Sequence, residues 1–153
     1  ESRKLAKELG IDDILVYAGY LAHSRSVEWL RRADVLWMTV GRQEGAETIS
    51  TSKLFEYFGS RKPILGLLPE GAARSALQRY RAAEIVDPNG IPEIAAAIER
   101  LYEKWVSKSL PAPPEDVVIQ FDRVRLTKHL AKVLETSISE TTQHSKAVSS
   151  ALS

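Results

Sequence analysis

The chain has 153 residues, of which 44% are hydrophobic and 27% are charged, and its formal net charge is +1 at pH 7. These values are ordinary for a globular domain, and the small net charge excludes the broad positive field that favours nucleic acid or an anionic membrane. Because the sequence has no cysteine, disulfides and thiolate chemistry are excluded, which fits a cytoplasmic protein.

Membrane and metal sites are not indicated either. No apolar run approaches the ~20 residues of a membrane span, and the first residues carry no signal-peptide pattern. The three histidines are scattered and none has a ligand partner at helical spacing. We therefore expect no transmembrane segment, no nucleic-acid partner and no metal.

The hydrophobic pattern alternates between strand and helix along the chain. It predicts an opening helix that ends at Gly10, strands at 14–17, 35–40, 63–68 and 84–86, and helices at 24–33, 53–58, 72–81, 91–105 and 121–135. This rhythm indicates an α/β fold with a mostly parallel sheet and helices on both faces. One domain is expected over 1–135, followed by a polar tail, 136–153, predicted to be disordered.

The central stretch joins a hydroxyl-rich loop to a short helix that begins at Lys53 and stops at Gly59. Ser and Thr side chains can cap the first turn of such a helix. Lys53 opposes the helix dipole there, at a cost of about 0.3–1 kcal/mol. An anion bound at the helix N-terminus would offset this cost. The alternative is a purely structural cap with Lys53 in solvent.

The fold independently favours a ligand at this place. In open α/β sheets, ligands bind beyond the carboxyl ends of the strands. The predicted loops after Tyr17, Val40 and Leu67 all lie at that edge, and the second of them contains the hydroxyl cluster.

Four segments in this order resemble the C-terminal, donor-binding domain of GT-B glycosyltransferases, a three-layer Rossmann-like fold of the group 1 kind. The segments are 16–21, 32–36, 52–65 and 121–134. The most specific part runs from Ser52 to Tyr57 with Lys62 to Leu65 after it. The resemblance implies that the acceptor-binding N-terminal domain and the first elements of the donor domain are missing from this chain.

The resemblance also implies roles for individual residues. Glu56 corresponds to the glutamate that hydrogen-bonds the donor ribose. The positions that hold the diphosphate correspond to Thr51, Ser52, Lys53 and Leu54. Many relatives have a sugar-facing glutamate where this chain has Thr48, so no catalytic residue is assigned.

Further candidates come from position in the chain. Gly19 and Tyr20 follow a predicted strand and could meet the nucleotide base, or form a plain turn. His23 could touch a phosphate or the acceptor, although a lone loop histidine often has no role. Glu56 could instead face solvent, or pair with Lys53 three positions earlier.

The predicted function is the donor-binding part of a glycosyltransferase that moves a sugar from a nucleotide-diphosphate sugar to an acceptor. Catalysis would come mainly from stabilising the leaving diphosphate, without cofactor or metal, and the chain alone would be inactive. The predicted partners are the nucleotide sugar and the N-terminal domain. A sugar-nucleotide epimerase of the same fold and a non-catalytic binding module are the alternatives. Trp29, Trp37 and Trp105 are predicted in the core or at a domain interface.

Overall fold

The computed structural model describes residues 2–41, 44–45 and 53–151, with side chains up to residue 139. The helices are α1 (Ser2–Glu8), α2 (His23–Arg32), α3 (Lys53–Ser60), α4 (Ala72–Tyr80), α5 (Ile91–Val106), α6 (Glu115–Val118) and α7 (Arg123–Ala151). The strands are β1 (Leu36–Thr39), β2 (Ile64–Leu67) and β3 (Ala83–Val86). Two short 3₁₀ turns lie at Asp12–Ile14 and Ile119–Phe121.

The described strands form one parallel sheet in the order β1-β2-β3. Leu36 lies opposite Ile64 at one end of the register, and Leu67 lies opposite Val86 at the other. Because each parallel pair is joined by a helical crossover, the predicted α/β alternation is confirmed from β1 to α5.

The sheet is covered on both faces by helices. On one face, α3 and α4 bury Phe58 and Tyr80, whose rings stack with centroids 4.6 Å apart. On the other, α5 buries Ala97 and Leu101 against Leu65. Full burial of a Leu or Phe side chain contributes about 1.5–3 kcal/mol, so these two clusters stabilise the layers that carry the site.

Gly66 allows α4 to approach β2 closely. A Cβ built on Gly66 would lie 2.6 Å from Cδ2 of Leu77, which is completely buried. No larger residue fits there unless Leu77 moves, so the short distance between this strand and its helix depends on glycine.

Ion pairs attach α5 to β3. The Glu84 carboxylate accepts hydrogen bonds from Nζ of Lys104 at 2.9 Å and from Nη2 of Arg100 at 3.1 Å. Burial alone would raise the pKa of Glu84, but the bonds from Lys104 and Arg100 outweigh it and lower the pKa below its usual value. Glu84 therefore favours the folded state most when it is ionised.

The predicted strand at 14–17 is wrong. Its first residue closes a 3₁₀ turn, the rest has no regular structure, and Val16 is 76% exposed. Tyr17 turns instead towards α1, with its ring 4.9 Å from the Arg3 guanidinium and its hydroxyl donating to the Ser2 carbonyl at 3.4 Å. Local contacts with α1 thus replace pairing with the edge of β1.

The tryptophans are not in the core. Trp29, Trp37 and Trp105 are 50%, 55% and 48% exposed. Trp37 points to the face of β1 that carries Leu65 of the neighbouring strand, and α5 covers that face only over β2 and β3. The alternative position, a domain interface, stays a prediction.

The last helix is longer than the sequence predicts. α7 continues past 135 to Ala151, and its apolar residues up to 139 are all exposed, Leu126 and Leu130 among them. It contacts the turn at Ile119–Phe121 near its first residues. The mobility predicted for 136–153 stays a prediction for hydrogen exchange to test.

No helix within the described part of the chain is both long enough and apolar enough to cross a membrane.

Candidate functional site

A cavity of about 500 Å³ lies where α2, α3 and the segment 16–21 meet. We call it the α3 cavity. It is lined by Val16, Ala18, Tyr20, Leu21, His23, Ser26, Trp29, Leu30, Lys53, Glu56 and Tyr57. Four candidates from two separate parts of the sequence, Tyr20 and His23 before α2 or at its start and Lys53 and Glu56 in α3, therefore share one cavity.

The apolar face of α3 fixes how its polar face is presented. Leu54 and Phe58, four residues apart, are 2% and 1% exposed and anchor the helix to the sheet. Lys53, Glu56 and Tyr57 lie three and four positions apart, so they are neighbours along the helix and line the α3 cavity together. Tyr57 also packs against the cluster that contains Leu54 and Phe58. The helix begins at Lys53, and its first backbone N–H groups have no partner within the helix.

Lys53 and Glu56 do not neutralise each other. Lys53 is exposed and Glu56 is partly buried, and neither forms an ion pair with another described residue. The intrahelical pair considered from the sequence is therefore not formed. Within the described residues, no side chain donates a hydrogen bond to Glu56 either, so its carboxylate is available to accept bonds from a ligand.

Tyr57 joins α3 to β1, an edge strand of the described sheet. Its hydroxyl donates to the carbonyl of Trp37 at 3.0 Å. The N–H groups of Leu36 and Val40 donate to the carbonyls of Pro63 and Leu67, towards β2. Backbone groups of successive residues point to opposite sides of a strand, so the Trp37 carbonyl points away from β2. Burial, and secondarily the charge of Glu56, raises the pKa of Tyr57, which keeps the phenol protonated and able to donate.

Gly19 allows the chain to turn into the cavity mouth. Its φ is +66°, a left-handed conformation that favours glycine. Tyr20, which follows it, is fully exposed. An exposed ring at the mouth of the α3 cavity is accessible for stacking on a planar ligand.

The remaining predicted residues fall into two groups. Thr48, Thr51 and Ser52 lie outside the described residues. Leu54 has its side chain in the core, so only its backbone N–H, in the first turn of α3, is left for an anion.

Tyr57 is a cavity residue that the sequence did not predict, and Trp29 lines the cavity where a core or domain-interface position was predicted. Tyr57 lies four positions after Lys53, and this spacing could have placed it on the same helix face. Its bond to β1 had no signal in the sequence, because it depends on which edge of the sheet stays unpaired.

The chemistry available at the α3 cavity is a cation, the first-turn amides of α3, which have no partner within the helix, and a carboxylate. This combination suits a ligand with an anionic group and neighbouring hydroxyls. Within the described ranges, no three His, Asp or Glu side chains come close enough to hold a metal ion. Comparison with protein-family models, with curated proteins and with solved structures gave no significant match.

Proposed function

We propose that this chain binds the nucleotide-diphosphate sugar as the donor-binding domain of a GT-B-type glycosyltransferase. The observation that carries the proposal is the α3 cavity, in which Lys53, Glu56 and Tyr20 meet while Lys53 and Glu56 remain unpaired with each other. Its volume of about 500 Å³ falls in the roughly 300–1,000 Å³ range of small-molecule sites.

Each of these residues has one role in the proposal. The donor diphosphate binds Lys53 and the first-turn amides of α3, where the helix dipole and the cation act together. Glu56 accepts two hydrogen bonds from the vicinal ribose hydroxyls, which are charge-assisted and therefore strong. Tyr20 stacks on the base.

The proposed reaction breaks the bond between the sugar C1 and the diphosphate oxygen, and the nucleoside diphosphate leaves with the electron pair. An acceptor hydroxyl forms the new bond to C1, and its proton passes to the leaving diphosphate or to water. Lys53 and the α3 amides stabilise the charge that develops on the leaving group, an electrostatic contribution that needs no rearrangement. The acceptor is held by a second domain in this proposal, so the chain alone performs no transfer.

Calorimetric titration of the chain tests the binding step. The ligands are UDP and GDP, with uridine and guanosine as matched controls that lack the diphosphate. We expect at least one diphosphate to bind about tenfold or more tightly than its nucleoside, since a charge-assisted hydrogen bond contributes about 1.5–3 kcal/mol. Equal affinity for nucleoside and diphosphate, or binding of neither diphosphate, would reject the proposal.

A further inference from the structure

A second cavity of about 630 Å³ lies on the other side of α3, between α2 and the start of α7. We call it the arginine cavity. It is lined by His23, Val27, Leu30, Arg31, Phe55, Glu56, Gly59, Ser60, Arg61, Phe121 and Arg123. It shares His23, Leu30 and Glu56 with the α3 cavity, so the two cavities are neighbours.

Positive charge dominates the arginine cavity. It has three guanidinium groups, on Arg31, Arg61 and Arg123, against the single carboxylate of Glu56. Arg61 pairs bidentately with Glu115, with Nη2 2.7 Å from Oε1 and Nη1 on the second oxygen. Neither Arg31 nor Arg123 forms a hydrogen bond or ion pair through its side chain with another described residue.

The pairing of Arg61 leaves two guanidinium groups available to a ligand. Arg31 and Arg123 are on different helices, α2 and α7, and both are exposed. Planar guanidinium groups bind phosphate and carboxylate bidentately. Arg31 and Arg123 both line the arginine cavity, so each guanidinium is available to an anionic group bound there.

The rest of the wall is apolar and partly aromatic. Phe55 is 41% exposed, and its ring centroid lies 6.2 Å from that of Phe121. Phe121 is in turn fixed against the buried ring of Phe58, with centroids 4.6 Å apart. Val27 and Leu30 of α2 complete the apolar side. A ligand with only an anionic group would leave this side uncovered.

We infer that the arginine cavity binds a small amphiphilic anion, a phosphate monoester whose organic part is an apolar ring or chain. The phosphate pairs with Arg31 and Arg123, and the apolar part covers Phe55 and Phe121. The inference goes beyond the proposed function and does not depend on it, because Lys53 lines only the α3 cavity.

Calorimetric titration of the chain with 1-naphthyl phosphate tests the inference. We expect Arg31→Gln and Arg123→Gln each to weaken binding about tenfold or more, the usual loss for one charge-assisted hydrogen bond. The controls are Arg32→Gln and Arg125→Gln, which remove the same charge from nearby positions of the same two helices that do not line the cavity. Arg32→Gln also removes the ion pair with Glu28, so its thermal melt is measured beside its binding. Both controls should bind as the parent does.

The ligand controls separate the two parts of the probe. We expect 1-naphthol, which lacks the phosphate, and inorganic phosphate, which lacks the ring, each to bind about tenfold or more weakly than 1-naphthyl phosphate. Binding of 1-naphthol at the affinity of the phosphate ester would overturn the inference. Unchanged affinity in both Arg31→Gln and Arg123→Gln would do so as well.

Lys53→Ala distinguishes this cavity from the proposed donor site. We expect Lys53→Ala to leave the affinity for 1-naphthyl phosphate unchanged and to lower the affinity for UDP or GDP. Either of the two proposals can therefore be rejected independently of the other. Loss of 1-naphthyl phosphate binding in Lys53→Ala alone would place the probe in the α3 cavity and overturn the inference.

A membrane lipid could supply the same chemistry as a free phosphate ester. Co-sedimentation with phosphatidylcholine vesicles containing phosphatidic acid is therefore a second arm. If Arg31→Gln and Arg123→Gln abolish sedimentation with the vesicles, the result would support a lipid phosphate as the ligand of the arginine cavity. Sedimentation that these variants leave intact would count against the cavity as the lipid site.

Discussion

Replacing Lys53 with alanine should move stability and ligand affinity in opposite directions. Lys53 is the first residue of α3 and is exposed, so its charge opposes the helix dipole by about 0.3–1 kcal/mol. Removing the charge should raise the free energy of unfolding by that amount. For a chain of this size, this corresponds to a rise in Tm of about 1–4 °C.

The loss of affinity should be larger than the gain in stability. A charge-assisted hydrogen bond to the diphosphate contributes about 1.5–3 kcal/mol. Affinity for UDP or GDP should therefore fall roughly ten- to hundred-fold. Because Lys53 is exposed, solvent and salt screen part of this energy, so the smaller value is expected at physiological ionic strength.

The assay combines calorimetric titration with a thermal melt of each variant. Lys128→Ala is the matched control, since Lys128 is also an exposed helical lysine but lines neither cavity. It should bind the nucleotide as the parent does. A fall in Tm of Lys53→Ala with unchanged affinity would refute the reasoning, because it would make Lys53 a structural residue.

Three further predictions concern the fold. Gly66→Ala should cost about 1–3 kcal/mol in chemical denaturation because its Cβ would overlap buried Leu77; Gly59→Ala, with open space at its Cβ, should not destabilise. The lowered pKa of Glu84 means that its stabilising contribution is present above the unfolded value of 4.5 and disappears as the pH falls through the folded value below it. Urea denaturation should therefore show Glu84→Gln less stable than the parent at neutral pH, with the difference closing in acid; a constant difference would contradict this. Hydrogen exchange should be fast over 136–151, and strong protection there would contradict the predicted mobility.

The sequence predicted the elements whose pattern is local. The strands and helices from β1 to α5 have continuous apolar runs or helical spacing, and their bounds fall within a few residues of the prediction. Lys53 was identified by an unfavourable position in a helix, which is also a local feature. The structure adds that this lysine shares a cavity with Tyr20, from which α2 and β1 separate it in the chain.

The errors came from features that depend on distant contacts. The run 14–17 has the composition of a strand, but Tyr17 contacts α1 through a hydrogen bond to the Ser2 carbonyl. On β1, where a further strand would pair, the Trp37 carbonyl accepts a hydrogen bond from the Tyr57 hydroxyl. The apolar stripe of α5 was read correctly as a helix, yet Tyr102 remains 62% exposed because the sheet beneath that side is narrow. The arginine cavity had no sequence signal, since its guanidinium groups come from three separate helices or turns.

Amide chemical shifts of the ¹⁵N-labelled chain during titration with UDP or GDP test the central claim most directly. We expect the largest shifts on Lys53, Leu54 and Glu56 at the start of α3, and on Gly19 and Tyr20 across the α3 cavity. Largest shifts on residues that line only the arginine cavity, or on the exposed face of α5, would contradict it.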